Sequence, residues 1–226
     1  LLTSGIICCV AAVAMGASWT DFTGRRGAET HQELDNVSKL KMGVTGTGYV
    51  ETHSEDTVVV ETSGYSLFWK INCRQEGGEL SVKTKMRFTS WNNYVGSIYI
   101  YVPEDYEFSE LDIELGAGHI EMSDVIAKEI QLDVGAGEGE LTGFVTNELE
   151  MMCGAGNIDA QGALNGDANI EAGVGKANLT LEGNPEDFNY DIECGSGLVR
   201  VGGNSRSGMG GQERINNGEN KNIDIK

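Results

Sequence analysis

A Gly-x-Gly tripeptide that returns in register constrains this chain more than any other feature. It stands at Gly116-Ala-Gly118, Gly135-Ala-Gly137, Gly154-Ala-Gly156, Gly173-Val-Gly175 and Gly195-Ser-Gly197, with spacings of 19, 19, 19 and 22 residues. A near-constant period of this size marks a solenoid, in which each repeat is one coil that buries its apolar edge by stacking on its neighbours. Apolar residues precede each first glycine by one position (Leu115, Val134, Cys153, Ala172, Cys194), by three (Ile113, Leu132, Met151, Ile170, Ile192) and by five (Leu111, Ile130, Leu149, Ala168, Tyr190). A period of two predicts a strand with one buried face. After the tripeptide, a shorter alternation through Ile120/Met122, Leu141, Ile158/Ala160, Ala177/Leu179 and Val199/Val201 predicts a second strand in each coil. The glycines are expected at a sharp corner, where φ > 0 is free of steric penalty for Gly alone, with the small middle residue inside it. Asn184-Pro185-Glu186 explains the longer last spacing as a loop bulging from a corner.

Residues 38–102 alternate less regularly, with strands expected over Ser38–Val44, Tyr49–Thr52, Thr57–Thr62, Leu67–Cys73, Glu79–Phe88 and Ser97–Val102. Trp69, Trp91 and the tyrosines are expected to bulk out a wider core there, and Lys83, Lys85 and Arg87 to share one face. Helix is excluded beyond residue 30: no stretch there has a 3.6 period, and 32 glycines in 226 residues would break helices laid across the repeats. The fold class expected is therefore all-β, a single-stranded β-helix-like solenoid of about 19-residue coils, preceded by an N-terminal transmembrane helix.

That helix is read from residues 1–19, Leu1 to Trp19, which carry no charge and are almost wholly apolar or small. A hydrocarbon core takes about 20 residues of helix, so the segment is just long enough to span. Two readings fit: a retained single-pass anchor, which is the expectation, and a signal peptide cleaved near Ala14-Met-Gly16. Residues 20–37 then form a juxtamembrane linker and residues 38–201 the solenoid, irregular over 38–102 and regular over 106–201. Residues 202–226 read as a Gly/Ser/Asn-rich loop, followed by Ile223-Asp-Ile-Lys226 as the start of a truncated last coil.

A net charge of −19 argues against nucleic acid or an anionic membrane surface as a partner. Of the five cysteines, Cys8 and Cys9 lie in the apolar segment and no Cys-x-x-Cys or Cys/His metal spacing occurs. Cys153 and Cys194 share an inward column two coils apart, ~9.6 Å at ~4.8 Å per coil, beyond disulfide reach. Both read as core fillers.

The apolar N-terminal span, the strand Ile98-Tyr-Ile-Tyr-Val-Pro103 and the run Leu111-Asp-Ile-Glu-Leu-Gly-Ala-Gly-His-Ile-Glu121 resemble the bacterial domain-of-unknown-function (4097) β-strand-repeat family, whose members carry the label of adhesins. The resemblance covers about residues 35 to 226. It implies a right-handed β-helix-like domain, tethered to the cell membrane with the solenoid on the extracytoplasmic side and linked to the cell envelope. Envelope proteins or glycans are the partners it suggests. It offers no catalytic residues.

Enzyme motifs are absent from the sequence. The Gly-x-Gly pairs lack the third glycine of a dinucleotide fingerprint, no Walker lysine-serine pair exists, and no cofactor is expected. His31, His53 and His119 have no serine- or cysteine-centred signature and read as surface residues. The pattern with chemical content is the outward face of the first strand. Its columns are Glu110/Glu129/Glu148/Asp167/Asn189, Asp112/Gln131/Glu150/Asn169/Asp191 and Glu114/Asp133/Met152/Glu171/Glu193, with no basic residue in any of them. Carboxylates stacked ~4.8 Å apart repel by about 0.9 kcal/mol in water and several-fold more at lower dielectric. This face reads as a solvated surface that opposes aggregation. It also reads as an acidic platform, Asp112, Glu114, Asp133, Glu150, Glu171, Asp191 and Glu193, for weakly held divalent cations or a cationic partner. The expected function is a non-catalytic binding or scaffold module, with a polysaccharide-active β-helix enzyme as the alternative.

Overall fold

The computed structural model describes residues 30–65, 69–86, 96–194, 198–201, 204–207 and 211–225. These residues are all-β, without an α-helix. The first part holds β1 (Thr30–Leu34), β2 (Lys39–His53), β3 (Val58–Ser63), β4 (Trp69–Glu76), β5 (Glu79–Met86), β6 (Ser97–Pro103) and β7 (Glu107–Phe108). The repeats supply β8 (Glu110–Ser123), β9 (Ile126–Cys153), β10 (Asn157–Ala172) and β11 (Lys176–Leu181). The C-terminal end adds β12 (Asn189–Cys194), β13 (Leu198–Val201), β14 (Asn204–Ser207), β15 (Gly211–Ile215) and β16 (Asn222–Ile225).

The repeat period of the sequence is the parallel register itself. Ile113 faces Leu132, Leu115 faces Val134 and Ile120 faces Gly139 between β8 and β9, and Ile170 faces Met151 between β10 and β9. All sixteen described strands belong to one hydrogen-bonded sheet; β8 and β9 run on through their Gly-x-Gly, and the arm before that corner is the first sheet, the arm after it the second, so that one coil contributes a rung to both. β9 runs through more than one coil, and its own halves are neighbouring rungs, with the Gly154 N–H bonded to the Val134 carbonyl. The apolar columns close into one aliphatic core: Leu111, Ile113, Leu115, Ile130, Leu132, Val134 and Met151 are all at most 1% exposed. Ile120, Met122, Leu141, Ile158, Ala177 and Leu179 of the second sheet are buried against them. The side chains of Ile192 and Val199 lie outside the described residues.

The corners correct two expectations. The middle residues Ala117, Ala136 and Ala155 are exposed and Val174 is 76% exposed, so the corner points its middle residue outward. Positive φ applies to Gly118 (130°) and Gly137 (147°), whereas Gly116, Gly135, Gly154, Gly156, Gly173 and Gly175 are not in that region. What these glycines share, Gly116 apart, is close stacking on a backbone carbonyl of the neighbouring rung. A Cβ on Gly137 would sit 2.1 Å from the Gly118 carbonyl oxygen, and one on Gly175 2.1 Å from that of Gly156. Gly195 and Gly197 lie outside the described residues. A second, unforeseen corner recurs at the same period: Asp105, Asp124 and Gly143 all take left-handed φ, at 59°, 53° and 66°. Asp tolerates that region better than most residues.

The irregular first part begins with a regular rung. β2 pairs with β8 from Lys39/Glu110 to Val50/Met122, Gly46 facing Gly118. The chain then leaves the solenoid path and returns to it at Glu110, having placed β5 and β4 beside β2 in the first sheet and β6 and β3 in the second, where β1, which precedes β2, pairs with β3. The linker assignment over 20–37 therefore needs correction, since Thr30–Leu34 is a strand and Leu34 and Val37 are buried. So does the aromatic core. Tyr49, Tyr99 and Tyr101 are half-buried on the outer face, while Tyr65 and Tyr106 pack against the aliphatic core. Trp91 and Arg87 lie outside the described residues, as do residues 1–29. Among the described residues no helix is long and apolar enough to cross a membrane.

At the other end, Ile223-Asp-Ile225 lies within the stack and not beyond its last coil. It is inserted as a rung between β10 and β12: Ile223 faces Ala168 on one side and Tyr190 on the other, and Ile225 faces Ile170 and Ile192. Cys153 and Cys194 are thus three rungs apart, ~14 Å at ~4.8 Å per rung, and Cys153 is a free, buried thiol. β15 covers β12, and β14 covers β13, both antiparallel.

Candidate functional site

The outward positions of the first sheet come together as the columns require, because i, i+2 and i+4 point to one face and the register carries them from rung to rung. Glu114 faces Asp133, and Asp112 faces Gln131 beside them. Glu150 lies one rung further and faces Asn169. Burial, followed by the field of Glu150, Asp112 and Glu114, raises the Asp133 carboxyl above its ordinary range, and a Gln131 amide at 3.4 Å opposes the rise. Asp133 Oδ1 is buried without a hydrogen-bond partner, as is Asn169 Oδ1. Asp112, Glu114, Asp133 and Glu150 thus form one acidic patch. Glu171 faces Met152 in the next column.

Strand β16 splits the remainder of the predicted line. Asp191 is separated from Asn169 by Asp224, a further carboxylate in the same column, and the Glu193 side chain lies outside the described residues. Asp191 is already paired with the Arg214 guanidinium from β15. A recess of about 240 Å³ opens here, lined among others by Tyr190, Asp191, Arg214, Ile215, Asn222 and Asp224. At the opposite end, Lys39 bonds Glu110, and Lys41 lies 3.4 Å from Glu110 and 3.5 Å from Asp112. Lys39 holds the Glu110 carboxyl below its ordinary range, and Glu110 raises the Lys41 ammonium. The acidic patch is therefore bordered by lysines on one side, while Arg214 neutralises Asp191 beyond β16. These cations come from β2 and β15, strands outside the periodic repeats, and so the periodic columns did not contain them.

The second sheet carries its own outward cluster, which sequence reasoning missed. The Tyr49 and Tyr99 rings stack at 4.7 Å, Tyr101 continues the stack at 6.2 Å from Tyr99, and Tyr49 meets the His119 ring edge-on at 6.5 Å. His119 faces Glu138 and Glu121 faces Glu140 across β8 and β9. The His119 Nδ1 lies 3.7 Å from Glu138 and its Nε2 3.9 Å from Glu121. The signal was available in the sequence as two pairs offset by one repeat, just after the glycine corner. The other histidines serve locally: His31 contacts Glu61 at 2.8 Å and His53 the Thr57 carbonyl at 2.8 Å.

The sequence model of the Toastrack DUF4097 family matches residues 33–226. A candidate cell adhesion protein from Clostridium sporogenes is similar in structure at TM-score 0.45 and 15% identity, covering 89% of this chain and 100% of that one. A candidate adhesin from Bacteroides fragilis has TM-score 0.38 and 9% identity, covering 90% and 99%. No curated protein matches the sequence.

Proposed function

The chain belongs to the Toastrack DUF4097 family, and from that premise we propose that it is a membrane-anchored, extracytoplasmic scaffold of the bacterial cell envelope, adhesin-like and without catalysis. The observation that carries the reading is the acidic patch: Asp112, Glu114, Asp133 and Glu150 converge on an open sheet face rather than in a closed cleft. Such a face suits an extended cationic partner or weakly held divalent ions, because the summed field concentrates positive charge without enclosing a substrate. The anchor in this proposal is the uncharged stretch Leu1 to Trp19.

Melting of the full chain in millimolar Ca²⁺, compared with Na⁺ at equal ionic strength, tests the face. Greater stabilisation by Ca²⁺ that disappears when Asp133 and Glu150 are both changed to Lys is the expected result, since monovalent salt only screens. Superimposable curves would reduce the face to a solvated surface. Incubation with cell-wall and pectin-like glycans tests the absence of catalysis, and any release of new sugar ends would replace the scaffold by a polysaccharide-active enzyme. Release from membranes by alkaline extraction would remove the anchor.

A further inference from the structure

We propose that His119, Glu138 and Glu140 form a binding site for a divalent transition-metal ion, with Zn²⁺ as its test case. The proposal goes beyond the scaffold reading and does not rest on it, since the site lies on the second sheet and the acidic patch on the first. One ligand atom from each of the three residues lies within 4.8 Å of the others. The fold supplies that convergence: two consecutive outward positions of β8, His119 and Glu121, meet the same two positions of β9, Glu138 and Glu140, in strict register.

The donor chemistry separates this cluster from the acidic patch. Carboxylates alone suit Ca²⁺ and Mg²⁺, whereas an imidazole nitrogen beside carboxylates suits Zn²⁺, Mn²⁺, Co²⁺ or Ni²⁺. The distances of 3.7 Å and 3.9 Å leave the ring nitrogens unbonded to Glu138 and Glu121, being too long for hydrogen bonds. The imidazole is thus held among carboxylates with lone-pair capacity to spare, and the edge-on Tyr49 ring packs against it. Zinc ligands at ~2.1 Å in a tetrahedron stand roughly 3.4 Å apart. Drawing the three donors inward from their present spacing takes about an ångström at each side-chain tip, within ordinary rotamer adjustment for half-buried and exposed groups. Glu121 lies by Nε2, on the other side of the ring from Glu138 at Nδ1, and a bound cation would relieve the mutual repulsion of Glu138 and Glu140.

Calorimetric titration of the full chain with Zn²⁺ tests the site, read as the difference between wild type and His119→Gln so that any other zinc-binding group cancels. His119→Gln should lose one equivalent, or bind it at least about tenfold more weakly, and Glu138→Gln with Glu140→Gln should do the same. Asp133→Asn, on the other sheet, should keep it. Co²⁺ in place of Zn²⁺ should give visible absorption bands that vanish in His119→Gln. Circular dichroism of each variant verifies that these exposed or half-buried substitutions leave the fold intact. Superimposable wild-type and His119→Gln titrations would overturn the proposal, and so would Ca²⁺ displacing Zn²⁺ at equal concentration.

Discussion

At Gly137 two constraints coincide: a φ of 147° and a carbonyl oxygen 2.1 Å from where a Cβ would stand. Gly137→Ala should therefore cost about 3 kcal/mol or more in urea unfolding, because neither the strained backbone nor the stacked carbonyl can give way alone. Ala136→Ser, one residue away on the exposed ridge, should change stability by less than about 0.5 kcal/mol. Two carboxylates make opposite claims on pH. Glu110, whose folded pKa is lowered by Lys39, adds stability above the ordinary carboxylate range and loses it as the pH falls through its folded value. Asp133, whose folded pKa is raised by burial, takes up its proton more readily folded than unfolded, so its ionisation costs stability as the pH rises through that window. At pH 7 Asp133→Asn should raise the melting temperature and Glu110→Gln should lower it. Both differences should close in strong acid, and changes of the same sign would contradict the assigned environments.

Among the elements, β16 shows how far the sequence was legible. Strand pairs spaced by one repeat were readable because one column of side chains, from Leu111 to Ile130 and onward, is both a sequence period and a physical ladder. The long excursion of the chain between Lys39 and Glu110 hid the first rung, and with it the lysines that border the acidic patch. The Ile-x-Ile pattern of residues 223–225 fits any slot with apolar walls, so its periodicity could not say which rungs it would join. Ile223 is fully buried between Ala168 and Tyr190. Ile223→Asp should release β16 together with β12 and β15, seen as fast hydrogen exchange confined to residues 189–225. The rungs of β8 and β9 should stay protected, since coil stability is passed between nearest neighbours. Leu132→Asp, by contrast, should unfold the whole chain by placing an unpaired charge in mid-core. Uniform loss of protection in Ile223→Asp would show that the C-terminal end is no separate unit.

For the molecule as a whole, a net charge of −19 is borne by two sheets with different outward chemistry: carboxylates bordered by lysine and arginine on one, tyrosine, histidine and glutamate on the other. The inserted rung also gives the stack a direction in time. A regular coil closes within a single repeat, as from Leu111 to Ile130, whereas Ile223 must find Ala168 and Tyr190 across a much longer stretch of chain. The longer of these two closures costs about 1 kcal/mol more in chain entropy than a regular coil. It also requires both walls of the slot to exist beforehand. Refolding should accordingly run outward from β8 and β9, and pulsed hydrogen exchange should find the β16 amides protected last. The slot between Ala168 of β10 and Tyr190 of β12 is one strand wide, and its backbone groups would also accept an Ile-x-Ile segment from a second copy, in competition with the chain's own tethered β16.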